Sequence, residues 1–370
     1  MQPPPAPLFR LAPDSIVYFV APAAYASGGP EAIHRVCGKL RSELGIDARI
    51  LYLPASHPDP VHPAYRDLRI PRVEAIADDP NHVLVVTEYF NQLQFAAQFQ
   101  RLRIVIWWLS IDFFYSSYWD AAAGPWQRRL LGLEGHLRRR ASGYFPNLLE
   151  ARDRAQMQLR HLAGLHLAGM DPIGRAAVHL CQSAYAKAHL AGKGLERLRE
   201  LYDLTDSQVL EATYDPSAKE DLILYNPKKG ELFSREIIAR APQLRFVPLV
   251  NLGRTELLNL LRRAKVYIDF GNHPGRDRLP REAALFGCCV LTGTRGSAAF
   301  REDLPLPARF KIEDKRGSLP SIVATLQTLI DDYARIHPEY DPYRHFIREQ
   351  DRLVTAQLRA IFEPGTATGN

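Results

Sequence analysis

Residues 265–300 read KVYIDFGNHPGRDRLPREAALFGCCVLTGTRGSAAF. Two apolar runs, KVYIDF and CCVLTG, flank a loop rich in glycine, arginine and proline that opens a short helix at PREAALFG. Strand, loop, helix, strand is the repeating unit of a parallel sheet, whose strands are covered on both faces and therefore read as almost unbroken apolar runs. Pro280 suits the first helical turn and Gly287 the stop. The first N–H groups of that helix have no partner within it and point at whatever fills the loop. Ligands of open α/β sheets bind at the carboxyl ends of strands, and a helix N-terminus favours an anion, so the loop is a candidate phosphate site.

Arg276, Arg278 and Arg281 crowd the positive end of this helix dipole, where basic side chains are disfavoured unless an anion compensates them. The alternative is that they pair with Asp277, Glu282 and other carboxylates. Glu282 has its own second reading, because an acid in a helix's first turn is stabilised by the dipole whatever its function.

Working outward, the same grammar recurs. LILYN, RFVPLV, KVYIDF and CCVLTG are strands of one sheet in the second half, separated by helices at GELFSREIIARAP and RTELLNLLRRA. In the first half SIVYFVAP, DARILYLP, NHVLVVTE and RIVIWWLS are strands of another, and ASGGPEAIHRVCGKLRSELG is a glycine turn entering an amphipathic helix that Gly45 stops. A chain of 370 residues exceeds the size at which one core stops growing. The expected layout is a proline-rich leader over 1–13, a Rossmann-like domain over 14–215, a second over 216–340, and a C-terminal helix over 341–370 that crosses back to the first.

Composition narrows the classes. Hydrophobic residues make up 46% and charged residues 24% of the chain, the profile of a globular protein. The run at 104–109 is far short of the ~20 residues a membrane-spanning helix needs. The N-terminus lacks the charged-then-apolar pattern of a secretory signal, and the four cysteines have neither a disulfide framework nor zinc spacing, which together point to the cytoplasm. A formal charge of +6 favours an acidic partner. PWQRRLLGLEGHLRRRASGYF, at 125–145, has the spacing of a basic amphipathic helix that either lies over the core or touches the inner face of a membrane.

The passage AKVYIDFG followed by GRDRLPREAALFGCCVLTGTRGS resembles the C-terminal signature of GT-B glycosyltransferases of the family 4 type. LILYNPKKG is similar to that family's strand and basic loop, SGGPEAIHRVCGKL to its glycine-rich first loop and helix, and QSAYAKAHLAGKGL to the segment closing its first domain. The resemblance spans roughly residues 14 to 300, and the order of the motifs is its strongest part. It implies an α/β GT-B fold, with two Rossmann-like domains whose parallel sheets face an interdomain cleft. It further implies an enzyme that moves a sugar from a nucleoside-diphosphate sugar to a glycan or lipid-linked acceptor, retaining the anomeric configuration without a metal or other cofactor.

Carried over residue by residue, the resemblance makes Glu282 the match for the glutamate that holds the ribose hydroxyls, and Lys228 and Lys229 the charges that neutralise the diphosphate. By the helix-dipole reading above, Gly275, Arg276, Arg278 and Arg281 complete the donor loop, and Gly28 and Gly29 either let the backbone approach a ligand or only make a tight turn. The family's first acid, eight residues before the glutamate, is Pro274 here, so Asp277 is the nearest acid for the sugar side. Asp112, after WWLS, is the candidate for contact with a sugar or acceptor hydroxyl, or else a helix cap. Trp107 and Trp108 read as core. A different GT-B enzyme, such as an epimerase or phosphorylase, and a non-catalytic module binding anions, lipid or nucleic acid are the competing classes; the clustered arginines argue against nucleic acid.

Overall fold

A computed structural model of the chain describes residues 7–122, 164–227 and 229–365. These fall into two compact units, one of residues 7–122, 164–204 and 350–365 and the other of residues 205–227 and 229–349. The basic stretch at 125–145 lies outside the described residues.

The strands of the first unit are β1 (Phe9–Arg10), β2 (Val17–Pro22), β3 (Ala48–Leu53), β4 (Arg72–Val73), β5 (Val83–Thr87), β6 (Arg103–Trp108), β7 (Val178–Cys181) and β8 (Leu198–Glu200). Seven of them form one sheet in the order β4-β3-β2-β5-β6-β7-β8, every pairing parallel. Val83 to Val86 and Ile104 to Trp108 are buried, as strands covered on both faces must be. Trp107 and Trp108 are fully enclosed, their indole N–H groups donating to the Leu201 carbonyl at 2.9 Å and to His179 Nδ1 at 3.2 Å. They are core residues with satisfied donors, not stacking platforms. The helix Gly28–Leu44 follows β2 and stops at Gly45, which takes the left-handed conformation. The last helix, Gln350–Ile361, belongs to this unit: Asp351 accepts from Lys39 at 2.8 Å, and β13 (Phe362–Glu363) pairs with β1.

The second unit holds β9 (Glu220–Tyr225), β10 (Arg245–Pro248), β11 (Ala264–Asp269) and β12 (Cys289–Thr292), all parallel, in the order β10-β9-β11-β12. Behind the sheet, buried Lys219 donates to the carbonyls of Leu261, Ala264 and Phe286 at 2.9, 2.8 and 2.6 Å. One ammonium thereby serves the C-terminal ends of the helices Arg254–Arg263 and Arg278–Leu285, where a cation is favoured.

Both sheets share one topological feature. The chain lays strands outward from β2 to β4, then restarts on the other side of β2 with β5; likewise it runs from β9 to β10 and restarts beside β9 with β11. The crevice outside the carboxyl ends at such a switch point is where open α/β sheets hold ligands.

Candidate functional site

At the switch point of the second unit, residues 226–230 leave β9 for the helix Glu231–Arg240, and residues 270–277 leave β11 for the helix Arg278–Leu285. Gly230 has φ +61°, and a Cβ there would stand 2.7 Å from the Phe270 carbonyl oxygen. Gly296 has the same φ, and a Cβ there would stand 2.0 Å from the His273 oxygen. Only glycine permits these loops to lie backbone against backbone. Ser297 completes the seam, its hydroxyl donating to the buried Gly275 carbonyl at 2.6 Å. Neither helix receives a side-chain bond from its capping residue, Gly230 in one case and Asp277 in the other. Both helix N-termini therefore lack a capping side chain, and they meet through the contact of Lys229 with Asp277.

Asp277 does not cap its own helix because its carboxylate is engaged elsewhere. Lys229 Nζ donates to Oδ2 at 2.5 Å and His273 Nδ1 lies 3.1 Å from the same oxygen. On its other side His273 Nε2 is 3.5 Å from Asp269 Oδ1, and Asp269 also accepts from the Tyr267 hydroxyl at 3.0 Å and the Gly271 amide at 3.1 Å. Burial lowers the His273 pKa, but the carboxylates of Asp269 and Asp277 outweigh it and hold it above the usual imidazole value. Burial raises the Asp269 pKa, yet His273, Lys229 and the Gly271 amide together bring it below the usual carboxylate value. Asp269, His273 and Asp277 offer ligand atoms within 4.8 Å of one another, a spacing that suits a metal ion. Lys229 lies against Asp277 at the same place, and a divalent cation there would meet its positive charge.

The remaining residues singled out in this loop differ in their surroundings. Glu282 has no exposed surface and is gripped by Arg254, whose two terminal nitrogens reach its two oxygens at 2.8 and 2.9 Å, with Arg278 Nε at 3.5 Å. Arg281 is buried and donates to Thr205 Oγ1 at 3.2 Å and to the Arg276 carbonyl at 3.0 Å. Arg276, also buried, lies over the Phe346 ring at 4.9 Å. Of the three arginines at the helix start, Arg276 and Arg281 are buried and Arg278 is exposed. Lys228 lies outside the described residues.

At the switch point of the first unit, Gly28 and Gly29 begin the helix after β2. A Cβ on Gly28 would meet nothing within 4 Å, and one on Gly29 only Leu109 Cδ1 at 3.7 Å, so the fold itself leaves this space open. Glu88, directly after β5, is buried and its carboxylate accepts the amides of Leu109 at 2.8 Å and Ser110 at 3.0 Å. Burial outweighs these bonds and pushes its pKa up to about 7. Ser110 Oγ accepts from the Phe113 amide at 3.2 Å, which makes it the cap of the helix Ile111–Ala122. Asp112 is the second residue of that helix, buried, with the Tyr185 hydroxyl donating to it at 3.4 Å.

Sequence reasoning passed over Glu88, Arg254, Asp269 and His273. The signal for Asp269 and His273 was present, as an acid ending an apolar strand and a histidine four residues on. An acid after VLVVT and an arginine opening a helix carry no comparable mark.

No family model and no curated protein matches the chain by sequence. Solved structures do match by shape. Sucrose-phosphate synthase (tll1590) from Thermosynechococcus elongatus is 11% identical with a TM-score of 0.60, covering 93% of this chain and 97% of that one. Anabaena Alr3699/HepE in complex with UDP and glucose is 10% identical with a TM-score of 0.58, covering 93% and 97%. The lipopolysaccharide outer core galactosyltransferase WaaB is 10% identical with a TM-score of 0.50, covering 94% and 100%. These neighbours are GT-B proteins built from two Rossmann-like domains, and the chain has that fold.

Proposed function

We propose that this chain is a glycosyltransferase that takes a sugar from a nucleoside-diphosphate sugar and passes it to a glycan or lipid-linked acceptor. The observation that carries the reading is the meeting of two uncapped helix N-termini around Lys229 at the switch point between β9 and β11. Amides and an ammonium gathered there suit a diphosphate, first as a bound group and then as a leaving group whose growing charge they stabilise. The GT-B neighbour HepE is in complex with UDP and glucose, which makes UDP the first nucleotide to test.

In this reading Lys229, the loop at Gly275 and exposed Arg278 receive the diphosphate, while Asp277 turns toward the transferred sugar. Buried Arg276 and Arg281 hold the loop in shape. Glu282 receives the ribose diol in company with Arg254, so nucleotide binding and the stability of this ion pair are linked. Asp112 and the open space at Gly28 and Gly29 belong to the acceptor side. Lys229 and the helix amides do the electrostatic work, so the proposed transfer needs no metal, and the resemblance in sequence supports retention at the anomeric carbon.

Calorimetric titration with UDP, GDP, ADP, CDP and dTDP in the presence of EDTA tests the donor site, and product analysis with the matching nucleotide sugar tests transfer. One diphosphate should bind, and its sugar conjugate should glycosylate an acceptor. Binding without any turnover would favour a non-catalytic module; binding to none would overturn the reading.

A further inference from the structure

The first unit holds a cavity that the proposed donor chemistry does not use. Beyond the carboxyl end of β3 lies a cavity of about 310 Å³ whose inner wall is His34, Tyr52 and Tyr65 and whose rim carries Arg66, Arg69 and Arg72. The residues of the inner wall are bonded to one another. His34 Nδ1 is 2.6 Å from the Pro30 carbonyl, which can only accept, so this nitrogen carries the proton and Nε2 accepts from the Tyr52 hydroxyl at 2.9 Å. Tyr65 stacks on the same imidazole with ring centroids 4.0 Å apart. Burial lowers the His34 pKa, in keeping with a neutral ring.

The rim has charge to spare. Asp59 is the one acid lining the cavity, and it takes Arg66 at 2.5 Å. Among the described residues no carboxylate lies within ion-pair distance of Arg69 or Arg72, both of which are exposed. Two guanidinium groups beside a preformed aromatic wall offer forked donors to a carboxylate or phosphate, and a flat apolar face to a sugar ring. The volume sits at the lower end of the about 300–1,000 Å³ typical of ligand pockets, which suits one sugar unit better than a nucleotide sugar.

We propose that this cavity binds the anionic group of an acidic acceptor, a sugar bearing a phosphate or a carboxylate, and so selects the acceptor of the transfer. The inference rests on the glycosyltransferase reading for its biological use, but binding at the cavity can be measured by itself. Titration with glucose 6-phosphate, glucuronate and glucose separates phosphate, carboxylate and neutral sugar, and UDP is titrated alongside. One acidic sugar should bind about tenfold or more tightly than glucose, and the double variant Arg69→Gln/Arg72→Gln should lose that preference while UDP binding stays unchanged. The stronger of the two acidic ligands tells phosphate from carboxylate. Equal binding of all three sugars, no binding of any, or a preference that survives the double variant would overturn the proposal. If UDP binds while the acidic sugars do not, the donor reading stands and the acceptor inference fails; the reverse result separates them the other way.

Discussion

Glu88 and Asp269 stand at equivalent places in the two sheets, each at the carboxyl end of a strand bordering a switch point, and each is almost fully buried. Burial is the largest influence on both and raises both, yet their pKa values move in opposite directions. The difference lies in what faces them. Asp269 looks at His273, with Lys229 one carboxylate further on, whereas among the described residues Glu88 has backbone amides, its own and those of Leu109 and Ser110. At Glu88 the amide bonds do not outweigh burial, whereas at Asp269 the added pull of the neighbouring cations does. The second unit has thus set cations against its own acids at the switch point, while the first, among the described residues, keeps an acid without a counter-ion there and arginines without carboxylates at Arg69 and Arg72.

Removing the lone acid is the strongest way to break this contrast. A carboxylate whose folded pKa lies above its unfolded value gives stability that is complete below the unfolded value and is lost as pH rises through the folded one. For Glu88 that window runs from 4.5 to about 7. Relative to Glu88→Gln, the wild type should lose about 3 kcal/mol of stability on going from pH 4 to pH 8, as read by chemical denaturation at each pH. Parallel pH curves would mean that the two amides suffice as partners after all.

A smaller effect is expected where acid and base are matched. Arg254→Ala leaves the buried Glu282 carboxylate with Arg278 as its one cation among the described residues. It should cost about 2 kcal/mol, less than for a fully enclosed pair because Arg254 is 39% exposed. Nucleotide affinity measured on the same variant sharpens the comparison: a loss in stability without a loss in affinity would make the pair a scaffold contact and take the ribose role from Glu282. Smallest of the three, Lys229→Met should weaken diphosphate binding about tenfold, the worth of one charge-assisted contact, and unchanged affinity would remove Lys229 from the diphosphate site.

The two regions also differed in how far they could be read in advance. Parallel strands were plain because apolar runs such as VLVVT and RIVIWW have no other use in a protein of this composition. Asp277 and Glu282 were singled out because they sit within one loop-helix signature, and Lys229 because it follows the strand LILYN in a basic loop. The partners that decide their chemistry were harder to see. Arg254 reaches Glu282 across 28 positions and Lys229 reaches Asp277 across 48, distances over which neither periodicity nor charge pattern reports contact. Glu88 was hidden for another reason: an acid after a strand ordinarily faces water, and only the packing of residues 109 and 110 over it makes it buried. The arginine rim came from YRDLRIPR, unremarkable until the fold sets it against His34 and Tyr52.

Hydrogen exchange of the backbone amides with and without UDP tests the central claim most directly, since the proposed diphosphate site consists largely of amides. Saturating UDP should slow exchange at the two helix starts together, residues 230–233 and 278–282, and leave residues 66–72 unaffected. Protection confined to other segments, or none at a concentration where UDP binds, would contradict the account.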